Sequence, residues 1–397
     1  MTSDLVRDRS TPIGTLDDAP PSFVDPSGAL ALHGGDRVSW CVIAEDRLHD
    51  PSDSTTVRQA SDGAIVETAV RIVGGDAVAR MFAVPGGVVC EFENASAAAC
   101  AFAVVAEGSA GLVHGPRPAS QSCVTGSRSE AVERLALGAT DPGPPNASTS
   151  NPGTVTAFVW PVAHRSTIRI FVGEHHPGDA IGADDVRRAW SARLANAMRV
   201  DIADRVLQYA VDRARVAVLV EAPDADAEIA RALEDWGFDA EAVTAWEQLG
   251  FGERRRLRRR RWAPGGWERL VAAQSRRPGA SLLNAIHDLL LAPRGPAIDL
   301  LPEFPSAWLG LNLAAHDVPL RDGVVAFAVR WHGERPALLW ETSAAVELRS
   351  PVLGGSWATR DRSGEVLFDP PPRHLFGTAA ASGAPVTDPP TSSASFS

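Results

Sequence analysis

Between residues 28 and 173 the hydrophobic and polar positions of the chain alternate with a period of two. Val66, Thr68, Val70 and Ile72 alternate with Glu67, Ala69 and Arg71, and Val88, Cys90 and Phe92 alternate with Val89, Glu91 and Glu93. Ile168, Ile170 and Val172 do the same against Thr167, Arg169 and Phe171. A strand sends successive side chains to opposite faces, so this pattern predicts half-buried antiparallel strands. Turn residues at Gly74-Gly75-Asp76 and Pro85-Gly86-Gly87 separate them. Several such strands predict a β-sandwich, with Asp141–Gly153 as a long surface loop within it.

Near Gly182 the period changes to 3.6. Val206, Leu207, Ala210, Val211 and Ala214 form one helical stripe, and Ile229, Leu233 and Trp236 form the next, closed by Gly237. Asp239 is expected to cap a helix that turns Val243, Trp246 and Leu249 inward. Leu282, Leu283, Ile286, Leu289 and Leu290 form the last stripe. From about residue 296 the alternation returns, with a hairpin turning at His332-Gly333-Glu334-Arg335 and Trp331 and Trp340 on its facing strands.

The predicted fold class is therefore multidomain α and β: an N-terminal antiparallel β-sandwich over 21–180, a central all-helical segment over 181–296, and a small C-terminal β-sandwich over 297–376. Residues 1–20 and the low-complexity tail 377–397 are expected to be disordered. The connection Leu300–Gly323 carries Leu300, Leu301, Phe304, Trp308, Leu309, Leu311 and Leu313, too much apolar surface to leave in water. It is expected to form an ordered belt with Trp308 at least half buried.

Composition narrows the chemistry. The 397 residues leave room for two or three domains, and 45% hydrophobic content is enough for a sizeable core. No apolar run reaches the roughly 18 residues of a membrane span, and the N-terminus lacks an apolar signal core, which predicts a cytoplasmic protein. Cys41, Cys90, Cys100 and Cys123 show no metal or redox spacing, and buried free thiols are expected. The adjacent His175 and His176 would point to opposite faces of a strand with no third ligand, so neither metal nor cofactor is predicted. A net charge of −11 argues against general nucleic-acid binding. All 38 basic residues are arginines, which excludes Schiff-base, P-loop and kinase-type lysine chemistry.

Several phrases carry a family resemblance. They are Trp40–Pro51, Val84–Asn94, Phe158–Ile170, Ala232–Val243 and the long run Leu300–Glu341, spread over residues 28–370. Together they resemble an actinobacterial glycoside-hydrolase-like family in which a β-sandwich leads into an α/α toroid and ends in a second, smaller sandwich. The resemblance implies an architecture similar to that of glucoamylases, maltose phosphorylases and rhamnosidases. The toroid of that architecture has about twelve helices. At a mean helix length of about 11 residues, the segment 181–296 holds at most half of it. The resemblance thus implies a carbohydrate-active protein with a reduced helical domain, weakly active or non-catalytic, with a carbohydrate ligand.

Glycoside hydrolysis needs two carboxyl groups facing across a sugar. Glu45 and Asp46, at the end of a strand, and Glu303, in the Pro- and Trp-rich belt, are the candidate acids. Trp308, His316, Trp331 and His332 are the candidate sugar-binding residues, because flat aromatics stack on pyranose faces, although packing is the commoner use of tryptophan. The run Arg254–Arg261 holds seven arginines before Trp262 and offers Arg254, Arg255, Arg258 and Arg259 as partner-binding residues. This supports the alternative reading, a non-enzymatic scaffold docking a protein partner through that run or through the Trp308 region.

Overall fold

The computed structural model describes residues 10–15, 20–108, 112–125, 154–174, 181–250, 262–274 and 278–370, with single positions between them including Arg128, Ala131 and Arg254. Among the described residues strand outweighs helix, 41% against 27%, in four sheets none of which closes.

The first fourteen strands build a face-to-face pair of antiparallel sheets. They are β1 Thr11–Ile13, β2 Ser22–Val24, β3 Leu30–Ala31, β4 Arg37–Ala44, β5 Arg47–His49, β6 Arg58–Ser61 and β7 Ile65–Ile72. They continue as β8 Gly75–Val84, β9 Gly87–Asn94, β10 Cys100–Glu107, β11 Val113–His114, β12 Ser120–Thr125, β13 Thr154–Val162 and β14 Thr167–Gly173. Sheet A runs β1-β2-β3-β4-β10-β13-β12, with β5 folded back on β4, and sheet B runs β11-β14-β9-β8-β7-β6. The alternating residues of both meet in one core, where Trp40, Phe92 and Phe102 pack with centroids 5.1–6.0 Å apart. Cys41, Cys90 and Cys100 are buried and unpaired, while Cys123 is exposed.

The outer face of sheet B is divided. Ile65, Phe82, Val84, Val89 and Phe171 lie under the helical layer. Beyond its margin Glu67, Arg80, Glu91 and Arg169 form a row across β7, β8, β9 and β14. Each charge faces an opposite one, with Arg80 Nε 2.8 Å from Glu67 and Arg169 Nε 3.0 Å from Glu91. Like charges side by side would destabilise the sheet; this alternation avoids that.

The helices are α1 Ala183–Leu194, α2 Arg205–Val220, α3 Ala227–Asp235, α4 Asp239–Gln248, α5 Gly266–Gln274 and α6 Ala280–Leu290. Asp204 and Asp226 cap α2 and α3, each accepting two backbone N–H bonds in the first turn. Gly237, at φ 79°, closes α3 in the left-handed conformation that glycine favours. Asp239 is the first residue of α4 and not its cap, which is Phe238. Val206 and Val243, expected inward, are 78% and 59% exposed. In α6 every residue but Ser281 is buried, and the helix is the axis on which α2, α3 and α5 pack.

The central all-helical segment, a partial α/α toroid in expectation, is not formed. Strand β15, Arg199–Ile202, lies inside that span and pairs with a strand more than a hundred residues later, Val200 opposite Ala315. Strand β16, Leu291–Arg294, follows α6 directly. The remaining strands are β17 Ala297–Leu300, β18 Leu313–Leu320, β19 Gly323–His332, β20 Arg335–Thr342, β21 Glu347–Arg349, β22 Ala358–Thr359 and β23 Ser363–Leu367. Sheet C is β15-β18-β19-β20-β23 and sheet D is β16-β17-β21-β22, with β17 and β21 parallel. One hydrophobic core holds the helices, the inner face of sheet C, the inner face of sheet D and the covered half of sheet B. The helices therefore bridge sheets; they do not stack into a ring of their own. The hairpin turns at Gly333-Glu334 as expected, but Trp331 faces Pro336 and Trp340 faces Phe327, so the two tryptophans are not a cross-strand pair.

Candidate functional site

The candidate acids stand apart from one another, two on a hairpin turn and one at the start of a helix. Glu45 and Asp46 are the two residues of the β4–β5 hairpin loop, with φ of 49° and 56°. Two consecutive left-handed residues make the turn whose twist matches the flanking strands. Both side chains are exposed, and neither carboxylate bonds to another side chain among the described residues.

Glu303 closes the start of α5. Its Oε1 accepts the Gly265 N–H at 2.7 Å and its Oε2 accepts the Gly266 N–H at 2.8 Å. These amides have no partner within the helix, and the helix dipole favours an anion there. The glycines are required: Gly265 has φ 76°, and a Cβ on Gly266 would come within 2.9 Å of Leu289. Both carboxylate oxygens are thus committed, from a residue 37 and 38 positions downstream in sequence.

Trp308 is 4% exposed. It sits edge-on to Phe304 at 6.1 Å and to Trp267 at 6.4 Å. Trp331 lies 6.1 Å from the same Phe304, half buried. Its indole N–H has no acceptor among the described residues. The belt is thus ordered and brings Trp308 and Trp331 onto one aromatic cluster, but it presents no flat face of Trp308 to water.

His316 lies in an irregular stretch of β18 between Ala315 and Val318, where Asp317 takes φ 55°. A bulge of this kind re-aims side chains at a sheet edge. The His316 Nε2 is 2.9 Å from Asp201 on the edge strand β15. Gln208 of α2 covers that edge by accepting the Ile202 N–H at 2.9 Å, and it donates to Asp212 at 3.1 Å. Asp212 is exposed as a residue, yet partial desolvation of its carboxyl shifts it above the ordinary carboxylate range; Asp201 adds to the shift, while Gln208 and Arg215 work against it. His332 is exposed at the hairpin turn, at the far end of β19 from the residues beside His316. The structure does not bring the two histidines together.

Of the arginine run, Arg255, Arg258 and Arg259 lie outside the described residues. Arg254 closes the C-terminal end of α4, its Nε donating to Leu249 O at 2.7 Å and its Nη2 to Glu247 O. At the other end of the run, Trp262 donates its indole N–H to Asp288 O at 2.9 Å.

Sequence reasoning missed the most buried charge network. Asp288 is 1% exposed and takes Arg231 at 2.6 Å and Arg269 at 2.7 Å. Arg231 also bonds Asp235 at 3.0 Å, and the buried His287 lies 3.6 Å from the same carboxylate. Burial works against the Arg231 charge, but Asp235 and Asp288 more than offset it and its pKa stands above the ordinary value. The members come from α3, α5 and α6, up to 57 positions apart, so no sequence spacing announces them. With Asp288 sealed from water, the network ties three helices together.

Among the described residues no group of three or more His, Cys, Asp or Glu is placed to hold a metal. No helix of the described residues is long and apolar enough to cross a membrane. No known protein family matches the chain, and no curated protein matches it.

Proposed function

We propose that this protein is a non-catalytic scaffold that docks an acidic partner surface through the arginine-rich stretch Arg254–Arg261. The observation that supports this most is that the stretch begins and ends on fixed points, Arg254 on the end of α4 and Trp262 on α6. Six more arginines fall in sequence between these two points, a concentration of positive charge in a chain whose net charge is −11. Single exposed ion pairs contribute only about 0.2–1 kcal/mol. Several acting together give salt-dependent attraction and faster encounter. Of the groups that a sugar-cleaving centre would use, Glu303 serves the α5 amides and Trp308 fills the joint, while Glu45 and Asp46 stand exposed on a hairpin turn.

The test uses fluorescent poly-L-glutamate as the acidic probe. The full chain should bind it at low salt and lose most of that affinity by 0.3 M salt. The combined variant Arg258→Gln, Arg259→Gln and Arg260→Gln should bind at least tenfold more weakly and keep its stability within about 0.5 kcal/mol. Equal binding by the variant, or no binding by the wild type at low salt, would overturn the reading.

A further inference from the structure

Sheet D carries an arrangement that none of the preceding roles uses. Strand alternation puts Ala292, Arg294, Ala297, Asp299, Glu347 and Arg349 on its outer face, while Ile298, Leu300 and Leu348 turn into the core. Asp299 is 8% exposed and lies directly opposite Arg349 across the parallel pair. Its carboxylate lies between two arginines: Arg294 Nε donates to Oδ2 at 3.3 Å, and Arg349 Nε is ion-paired with Oδ1 at 3.1 Å without the geometry of a hydrogen bond. Both contacts use Nε. The Nη groups of the two arginines have no hydrogen-bond partner among the described residues, and the side chains are 46% and 37% exposed.

Arg294 is fixed a second time. Its guanidinium lies 4.3 Å above the ring of Trp262, which is itself held by its bond to Asp288. On the same sheet Glu347 is taken by Arg360 at 3.1 Å. Three guanidinium groups against two carboxylates leave this face with one net positive charge.

We propose that Arg294 and Arg349 form a binding site for a phosphate oxyanion. A buried carboxylate that bonds the Arg294 Nε and holds Arg349 beside it by charge keeps both guanidinium groups next to one another before any ligand arrives, which removes part of the ordering cost. Phosphate fits better than a carboxylate does. A carboxylate has two oxygens and is satisfied by one arginine fork, whereas a phosphate presents three acceptor oxygens and up to two negative charges.

The experiment is equilibrium binding of inorganic phosphate and, separately, of phenyl phosphate to the full chain in low-ionic-strength chloride buffer. Saturable binding of one phosphate group per chain is expected. Arg294→Gln and Arg349→Gln should each weaken it at least tenfold, and Arg349→Lys, which keeps the charge but not the fork, should fall between. Arg330→Gln, an equal charge change on sheet C, should bind as the wild type does. Should Arg349→Gln fail to fold, the lysine variant and Arg294→Gln carry the comparison. Tenfold tighter binding of phenyl phosphate would assign the site to a phosphate ester, and equal binding to the free ion. The proposal falls if the wild type shows no saturable binding, if both glutamine variants bind as the wild type does, or if Arg330→Gln weakens binding as much as they do.

Discussion

Replacing Glu303 by Gln separates a structural carboxylate from a catalytic one. In the native protein the two carboxylate oxygens accept the Gly265 and Gly266 amides at 2.7 and 2.8 Å. Hydrogen bonds to a charged group contribute about 1.5–3 kcal/mol each, and the favourable field at a helix N-terminus adds about 0.3–1. Glutamine keeps one acceptor but turns an NH₂ toward the second amide, so one bond becomes a clash of donors and the charge is lost. Glu303 is half exposed, and water can recover part of the loss, which places the expected cost at about 1.5–3 kcal/mol. Urea denaturation followed by tryptophan fluorescence should show a lower midpoint with an unchanged slope. Hydrogen exchange should speed up first in α5. A variant within about 0.3 kcal/mol of the wild type would refute the capping role. If that variant had also lost an aryl-glycosidase activity present in the wild type, Glu303 would be the acid of a sugar-cleaving centre after all.

Three further outcomes are expected. Trp308→Ala should cost about 3–5 kcal/mol in the same denaturation assay, since the indole is packed among Phe304, Trp267 and the rest of the core; a cost below about 1 kcal/mol would make it a surface platform. Tyr209 is the only tyrosine of the chain, and its phenol donates to Ser61 O at 2.6 Å and accepts the Ser61 N–H at 3.0 Å, tying α2 to the edge of sheet B. Tyr209→Phe should cost about 1–2 kcal/mol and accelerate exchange of the Ser61 amide; unchanged exchange there would dismiss the latch. Asp212 has a folded pKa above its ordinary value of 3.8, so the native state holds that proton more tightly and stability is lost as pH rises through the folded pKa. Because Asp212 is solvent-exposed the effect is small: Asp212→Asn should be slightly the more stable protein at pH 7, with the advantage gone below about pH 3.8; an advantage that persists at pH 3 would place its cause elsewhere.

What was legible in the sequence follows from how far apart the interacting groups are. Strands β7, β9 and β14 could be read because one face of each meets the sandwich core, and their period of two is local. Helix α6 could be read because its stripe is continuous. Strand β15 could not: Arg-Val-Asp-Ile is four residues between two helical stripes, and only pairing with β18 makes it a strand. Once β15 enters sheet C, the helices on either side of it are fastened to that sheet and cannot form a separate ring. The same distance hid the candidate residues' uses. Glu303 reads as a lone acid in a belt until α5 is placed beneath it, and the partners of Asp288 come from three helices.

The buried helix α6 explains why one core serves the helices and parts of three sheets. Its N-terminal half packs on α3, where Leu283 O accepts the Trp236 indole N–H at 3.1 Å. Its last turn carries His287 and Asp288 to the network with Arg231 and Arg269, and the chain then passes without a loop into β16. β16 and its neighbours hold Arg294, Asp299 and Arg349 on the outside of sheet D. The backbone carbonyl of Asp288 also receives Trp262, whose ring supports Arg294. The buried ion network and the exposed arginine pair are therefore two ends of one connected structure, separated by six residues of chain from Asp288 to Arg294. A change of the Asp288 side chain would loosen α3 and α5 but would keep the main-chain carbonyl that receives Trp262. Asp288→Asn should accordingly cost stability and leave phosphate binding on sheet D near the wild-type level, whereas Trp262→Leu, which removes the ring beneath Arg294, should weaken that binding.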